Sequence, residues 1–249
     1  MSALLEVCVD SVASVVAAEQ GGAQRVELCG SLADGGITPS AGLIAMTRKR
    51  VALPVHVLVR PRTGDFCYSP DEFEVMKRDI VLAKQLGANG VALGVLLPNR
   101  RVDVQRTTEL VQLARPLSVT FHRAFDATPD LPASLEAVVG TGADRILTSG
   151  GCHTAEQGSA NIAKLVRLAG KRIIILACGH IREQNVAELL KATGVHEVHA
   201  NLRSPVPSMK HAVEHDPAAV IFEEPVRFEV VPGTIARFLD AALGVQAEK

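Results

Sequence analysis

Eight short strand-like runs punctuate this chain, several of them alternating apolar and polar residues, and between those runs apolar residues recur at helical spacing. The strand-like runs fall near Leu4–Val9, Arg25–Cys29, Val55–Arg60, Val91–Gly94, Leu117–Phe121, Arg145–Thr148, Arg172–Ala177 and Glu197–Ala200. The helix-like segments are Ser11–Gln20, Ser40–Arg50, Pro70–Leu86, Val104–Ala114, Leu131–Val139, Ser159–Leu168, Arg182–Lys191 and Thr234–Leu243. Asp10 is the candidate cap of the first helix, and Thr38-Pro39 announces the second. Strict alternation of the two periods predicts an α/β fold with a parallel sheet closed into a (βα)8 TIM barrel. An open doubly wound sheet is the runner-up, but the first strand-to-helix turn carries no Gly-x-Gly-x-x-Gly.

A repeat supports the barrel. Gly22-Ala23-Gln24, Gly87-Ala88-Asn89, Gly142-Ala143-Asp144 and Gly194-Val195-His196 each follow a helix-like stretch and open a strand-like one. Glycine stops a helix there because it enters the left-handed conformation without a side-chain clash. The 249 residues suit one such barrel, so a single domain is expected over 1–249. Within it an irregular segment runs over about 201–233, interrupted by Pro205, Pro207, Pro217, Pro225 and Pro232, before a C-terminal helix over about 234–243.

Strands buried on both faces normally read as continuous Val, Ile and Leu. Several here do not. If Val7, Val9, Val26, Leu28, Val57, Val59, Val119, Phe121 and Val198 face the helices, then Glu6, Cys8, Glu27, Cys29, His56, Arg60, Thr120, His122, His199 and Asn201 face the lumen. Buried charge requires a partner or a ligand. Glu6, Glu27, His56 and Arg60 can satisfy one another. Residues at the carboxyl ends of the strands are the better functional candidates, whereas Arg25, Arg145 and Arg172 stand near strand beginnings and read as structural.

That candidate set offers two chemistries. Glu27 with His122 or His199 is a carboxylate–imidazole arrangement suited to acid–base work. Arg60, Arg62 and Arg123, with Asp126, His199 and Asn201 beside them, suit a small anionic ligand. The turn Thr148-Ser149-Gly150-Gly151 offers backbone N–H groups to a phosphate, with Ser149 and Gly150 as contacts. Alternatively, Cys8 and Cys29 end neighbouring strands, roughly 4.8 Å apart in a sheet, and two thiols so placed can clamp one soft ion such as Cu(I). Two small buried cysteines that only pack explain the same pattern.

Bulk properties narrow the classes. With 26 basic and 27 acidic residues no net field favours nucleic acid, and without Trp and with one Tyr, base-stacking platforms are scarce. Neither a signal peptide nor a membrane span is expected. Five dispersed cysteines make a poor disulfide framework, so a cytoplasmic location is expected.

Longer blocks carry a resemblance. They are Glu6-Val7-Cys8-Val9-Asp10-Ser11, Arg25-Val26-Glu27-Leu28-Cys29, Gly35-Gly36-Ile37-Thr38-Pro39-Ser40 and Arg60-Pro61-Arg62-Thr63-Gly64-Asp65-Phe66-Cys67-Tyr68. Phe73 to Ile80, Thr120-Phe121-His122-Arg123-Ala124-Phe125-Asp126 and Leu147-Thr148-Ser149-Gly150-Gly151 continue the set. Together they resemble the CutC copper-homeostasis family, from about residue 4 to the eighth strand. The resemblance implies a cytoplasmic TIM barrel, a homo-oligomer (dimer or higher), and copper handling, with Cys8 and Cys29 at the positions proposed to bind Cu(I). No organic cofactor, no nucleic-acid partner and no membrane partner are expected. Ala177-Cys178-Gly179-His180 and Ala200-Asn201 depart from the family pattern. Cys178 and His180 would add soft ligands or narrow a phosphate turn. The expected function is thus Cu(I) binding at the C-terminal rim. The alternative is a barrel enzyme on a small anionic or phosphorylated metabolite, with Glu27 and His122 as acid–base groups. A scaffold acting through 201–233 is the third option.

Overall fold

A computed structural model describes residues 3–206 and 227–244. Eight parallel strands close on themselves: β1 (Leu4–Val9), β2 (Arg25–Leu28), β3 (Val55–Leu58), β4 (Gly90–Leu93), β5 (Ser118–Phe121), β6 (Arg145–Thr148), β7 (Ile174–Ala177) and β8 (Glu197–Ala200). β8 returns to β1 with Glu6 beside His199, and β1 pairs β2 with Cys8 beside Glu27. The surrounding helices are α1 (Val12–Gln20), α2 (Ala41–Arg50), α3 (Pro70–Gln85), α4 (Val104–Ala114), α5 (Leu131–Thr141), α6 (Ser159–Ala169), α7 (Val186–Thr193) and α8 (Pro232–Ala242).

Local chemistry explains the boundaries. Ser69 caps α3 through a reciprocal box with Glu72, with Pro70 at the first helical position. Ser40 and Asp103 cap α2 and α4. The cap of α1 is Ser11, whose hydroxyl accepts from Ser14 N–H, and not the expected Asp10; the Asp10 carboxylate instead pairs with Arg203 at 2.9 Å. All four repeat glycines sit at positive φ, between 72° and 93°. The third residue of each of the first three repeats does further work. Gln24, Asn89 and Asp144 accept N–H groups near the start of β1, β3 and β5, from Leu5, Val55 and Val119.

The valines and Phe121 expected to face outward are buried in one continuous layer between sheet and helices. Inside the barrel lie two small separate clusters, Cys29 with Leu58 and Ala92, and Leu147 with Leu176 and Cys178. The rest of the lumen is polar.

Part of the segment expected to be irregular is regular. β9 (Arg203–Val206) and β10 (Arg227–Val230) form an antiparallel hairpin, and α8 begins at Pro232. Pro205 lies on a two-stranded ribbon, where a missing N–H is tolerated, and Pro232 opens a helix. Pro207, Pro217 and Pro225 lie outside the described residues. Among the described residues no helix is long and apolar enough to cross a membrane.

Candidate functional site at the barrel mouth

The floor of the lumen is an ion-pair ladder. Arg25 bridges Glu6 and Glu197, each at 2.5 Å, and Arg145 joins Glu197 at 2.8 Å. His199 continues it upward: Nδ1 lies 2.7 Å from Glu6 Oε1, and Nε2 lies 4.0 Å from Glu27 Oε2. Burial alone would raise the Glu6 pKa, but the His199 hydrogen bond and the Arg25 charge hold it well below the usual carboxylate range. Burial opposes charge on His199, yet Cys8, Glu6 and Glu27 outweigh it and its pKa lies well above the ordinary histidine value. Burial pushes Glu27 up. Arg25 and Arg145 are structural, as their positions implied. Arg172 is exposed and held by Glu136 at 2.7 Å.

Above this floor is a cavity of about 260 Å³. It is lined by Cys8, Glu27, Cys29, Arg60, His122, Arg123, His199 and Asn201, and roofed by Leu32, Gly35 and Phe66. Eight of the candidate residues therefore meet in one place. The Cys8 thiol donates a long bond (3.8 Å) to Ala200 O, and the Cys29 thiol one of 3.5 Å to the Glu27 carboxylate. The two cysteines are not directly opposite: Cys8 pairs with Glu27, so Cys29 stands one lumen step nearer the mouth. Burial pushes the Cys29 thiol well above its usual range.

Arg60 fastens the roof. Its Nη1 donates to Gly35 O and Gly36 O, and its Nη2 to Gly64 O. Phe66 packs on both its guanidinium (5.1 Å) and the His122 ring (5.0 Å). Burial and the Arg60 charge push His122 down to about 3. Arg62 does not reach the cavity; it pairs with Glu72 at 2.5 Å and Asp65 at 3.1 Å and braces the roof loop. Asn201 accepts from Arg203, which ties the hairpin to the mouth.

The glycine turn is filled from within. The Asp126 carboxylate accepts from Ser149 N–H, Gly151 N–H and the Thr148 hydroxyl, and pairs with Arg123 at 2.9 Å. Gly150 N–H is taken by Thr148 Oγ1. Asp126, Ser149 and Gly150 thus stand beside the cavity as a closed unit, with the expected phosphate donors already engaged. Asp126→Ala orphans several donors and should cost roughly 3 kcal/mol in urea unfolding, with Asp126→Asn recovering part. A change below about 0.5 kcal/mol in Asp126→Ala would show that the turn stands without the carboxylate.

Cys178 is buried among Leu147 and Leu176 rather than lining the cavity, and His180 lies outside, its ring 4.8 Å from that of His153. Phe66 is not among the candidates the sequence offers; its signal was an aromatic pair, Phe66 and Tyr68, in an otherwise polar loop. Glu197 was readable from parity, since 197, 199 and 201 share a face. A larger depression, about 560 Å³, lies at the opposite end around Gly170, Lys171 and Gly194. It brings together none of the candidate residues.

Comparisons with known proteins agree with the fold. The CutC family model matches residues 3–204. A human protein named copper homeostasis protein cutC homolog is 46% identical over 201 residues, covering 81% of this chain and 74% of its own. A family protein CutC from Chromobacterium violaceum is 45% identical over 208 residues, 84% of each chain. The CutC crystal structure from Streptococcus agalactiae superposes with a TM-score of 0.75 at 32% identity, covering 79% of this chain and 97% of that one. The chain belongs to the CutC copper-homeostasis family.

Proposed function

We propose that this protein, acting in the cytoplasm as a single-domain homo-oligomer, binds one Cu(I) ion between Cys8 and Cys29 at the barrel mouth. The observation that carries this reading is that both thiols line one cavity and each makes only one or two long, replaceable hydrogen bonds. Two thiolates suffice for a soft monovalent ion. Among the described residues no group of three or more His, Cys, Asp or Glu forms a metal cage, so the donor set fits two-coordinate Cu(I) better than zinc. Titration of reduced, oxygen-free protein against a competing Cu(I) chelator tests it. One tight ion per chain is expected, weakened at least a hundredfold, roughly 2.8 kcal/mol, in Cys8→Ser/Cys29→Ser. Unchanged affinity in that variant would demote both cysteines to packing.

A second reading is favoured by buried polar groups that a metal carrier does not need: His122 Nε2 and Arg60 Nε have no partner among the described residues. In this reading the cavity is an enzyme pocket for a small anionic metabolite, with Glu27 and His122 at the reacting centre and Arg60 and Arg123 as anion contacts. A metabolite-library thermal-shift screen tests it. A true ligand at 100 times its dissociation constant adds about 2.7 kcal/mol. Shifts that persist in Arg60→Ala would remove the assignment.

A further inference from the structure

Resting on the enzyme-pocket reading, the geometry points to a receptor for one carbonyl or carboxylate oxygen of a small organic acid, made by His122 and Arg60. The receptor donates two fixed N–H groups, one neutral and one cationic.

The tautomer of His122 follows from its contacts. Ala124 N–H donates to Nδ1 at 3.2 Å, so Nδ1 carries a lone pair and the proton of the neutral ring is on Nε2. That Nε2–H is buried and has no acceptor among the described residues. The ring is not free to turn toward one. It lies against Gly94, where even a Cβ would stand 2.6 Å from Nδ1 and 2.7 Å from Cε1, and Phe66 packs on it from another side. Depression of its pKa to about 3 keeps the ring neutral throughout the physiological range.

Arg60 is equally constrained. Three backbone carbonyls engage its two terminal nitrogens, and Nε alone is left buried without an acceptor. Both residues are more than nine-tenths buried, and both line the same cavity. A buried donor without an acceptor costs about 1–3 kcal/mol, and native proteins rarely tolerate one. Of the seven such side-chain atoms among the described residues, these two alone belong to residues that line the cavity, and each is immobilised by its other bonds, so an oxygen supplied from outside the chain is their complement.

The cavity selects the class of ligand. Its 260 Å³ equals about nine water volumes of roughly 30 Å³, so the occupant is a compound of a few carbons. A phosphate would ordinarily draw on the glycine turn, but Asp126 already holds those N–H groups. An sp² oxygen is the complement of the donors that remain. His122 then acts as a fixed donor polarising that oxygen, and not as a carrier of protons.

The test uses the full chain labelled with ¹⁵N-histidine. Two-bond ¹H–¹⁵N spectra of the unliganded protein should show the Nε2–H tautomer of His122, unchanged between mildly acidic and neutral pH. Pyruvate, glycolate and acetoacetate are then added separately at millimolar concentration, with inorganic phosphate as a fourth arm. At least one organic acid should move the Nε2–H resonance. Its affinity should fall about tenfold or more, roughly 1.4 kcal/mol, in His122→Leu and be largely kept in His122→Gln. An Nδ1–H tautomer would overturn the inference without any ligand. So would a response to phosphate alone. An organic acid that stabilises the protein without moving the His122 signal leaves the pocket reading standing and removes this receptor. Silence across the whole panel removes both.

Discussion

Glu197→Ala should destabilise this protein by about 3–5 kcal/mol, more than other single substitutions in the lumen. Glu197 stands at the start of β8, within 2.5 Å of Arg25 and 2.8 Å of Arg145. The Arg25 and Glu6 side chains beside it are 4% and 2% exposed, so little water reaches the ladder. Removing the carboxylate takes one of two acids from Arg25 and, among the described residues, the only acid from Arg145. Arg25 keeps Glu6, and Arg145 keeps only the Ser118 hydroxyl. Breaking a buried pair from one side is far more costly than never having built it, because the surviving charge stays desolvated. In a protein of this size each kcal/mol lowers Tm by about 2–4 °C, so a fall of roughly 10 °C is expected in thermal unfolding. Glu197→Gln, which retains an acceptor, should fall in between. A loss below about 1 kcal/mol in Glu197→Ala would mean that the floor is hydrated and its charges are screened.

Acid should unfold the protein through its buried neutral histidines. The pKa of His56 is pushed down to about 4 and that of His122 to about 3, burial being the leading cause in both. The unfolded chain takes up a proton at each near pH 6.5, while the folded protein does not until pH 4 or below. Between these limits the unfolded state binds more protons, so stability falls as pH falls. The slope approaches about 1.4 kcal/mol per pH unit for each histidine once pH is well below 6.5, which integrates to roughly 3 kcal/mol for the pair between pH 6.5 and 5. His199 has the opposite sign. Its raised pKa gives stability fully present below pH 6.5, so its contribution is flat in this window. Glu6, with its lowered pKa, adds to the acid loss nearer pH 4.5, and Glu27, with a raised one, offsets it. A comparison isolates the histidine. Urea unfolding of His122→Gln at several pH values between 4 and 6 should give a dependence shallower than wild type by about one proton. Parallel dependences would show that His122 is already charged in the folded protein at pH 5.

The alternation of Val and polar residues along β1, β2, β3, β5 and β8 carried enough information to place each side chain on its face. Period two admits only two assignments, and nine apolar residues cannot all face a polar lumen. The repeated Gly-Ala-Gln/Asn/Asp was legible as a helix stop. That its third residue ties down the preceding strand was not, because the acceptor and the N–H lie 19 to 34 residues apart. The misplaced cap of α1 has a similar origin. Asp10 and Ser11 are equally good caps locally, and Arg203, nearly 200 residues away, claims Asp10.

Sequence by itself determined the barrel, its polar lumen and the end at which the candidate residues gather, since these follow from local propensity and periodicity. Tertiary structure alone decided how those residues are spent. Arg60 and Arg62 are identical in chemistry and two positions apart, yet one roofs the cavity and the other braces a loop outside it. Asp126 fills the glycine turn that the sequence offers to a phosphate. His122 and His199 are alike as letters, but burial beside Arg60 pushes the pKa of one down while Cys8, Glu6 and Glu27 push that of the other up. Each of these outcomes depends on distances between groups brought together by chain closure, because desolvation and Coulomb interaction act through space and not along the chain.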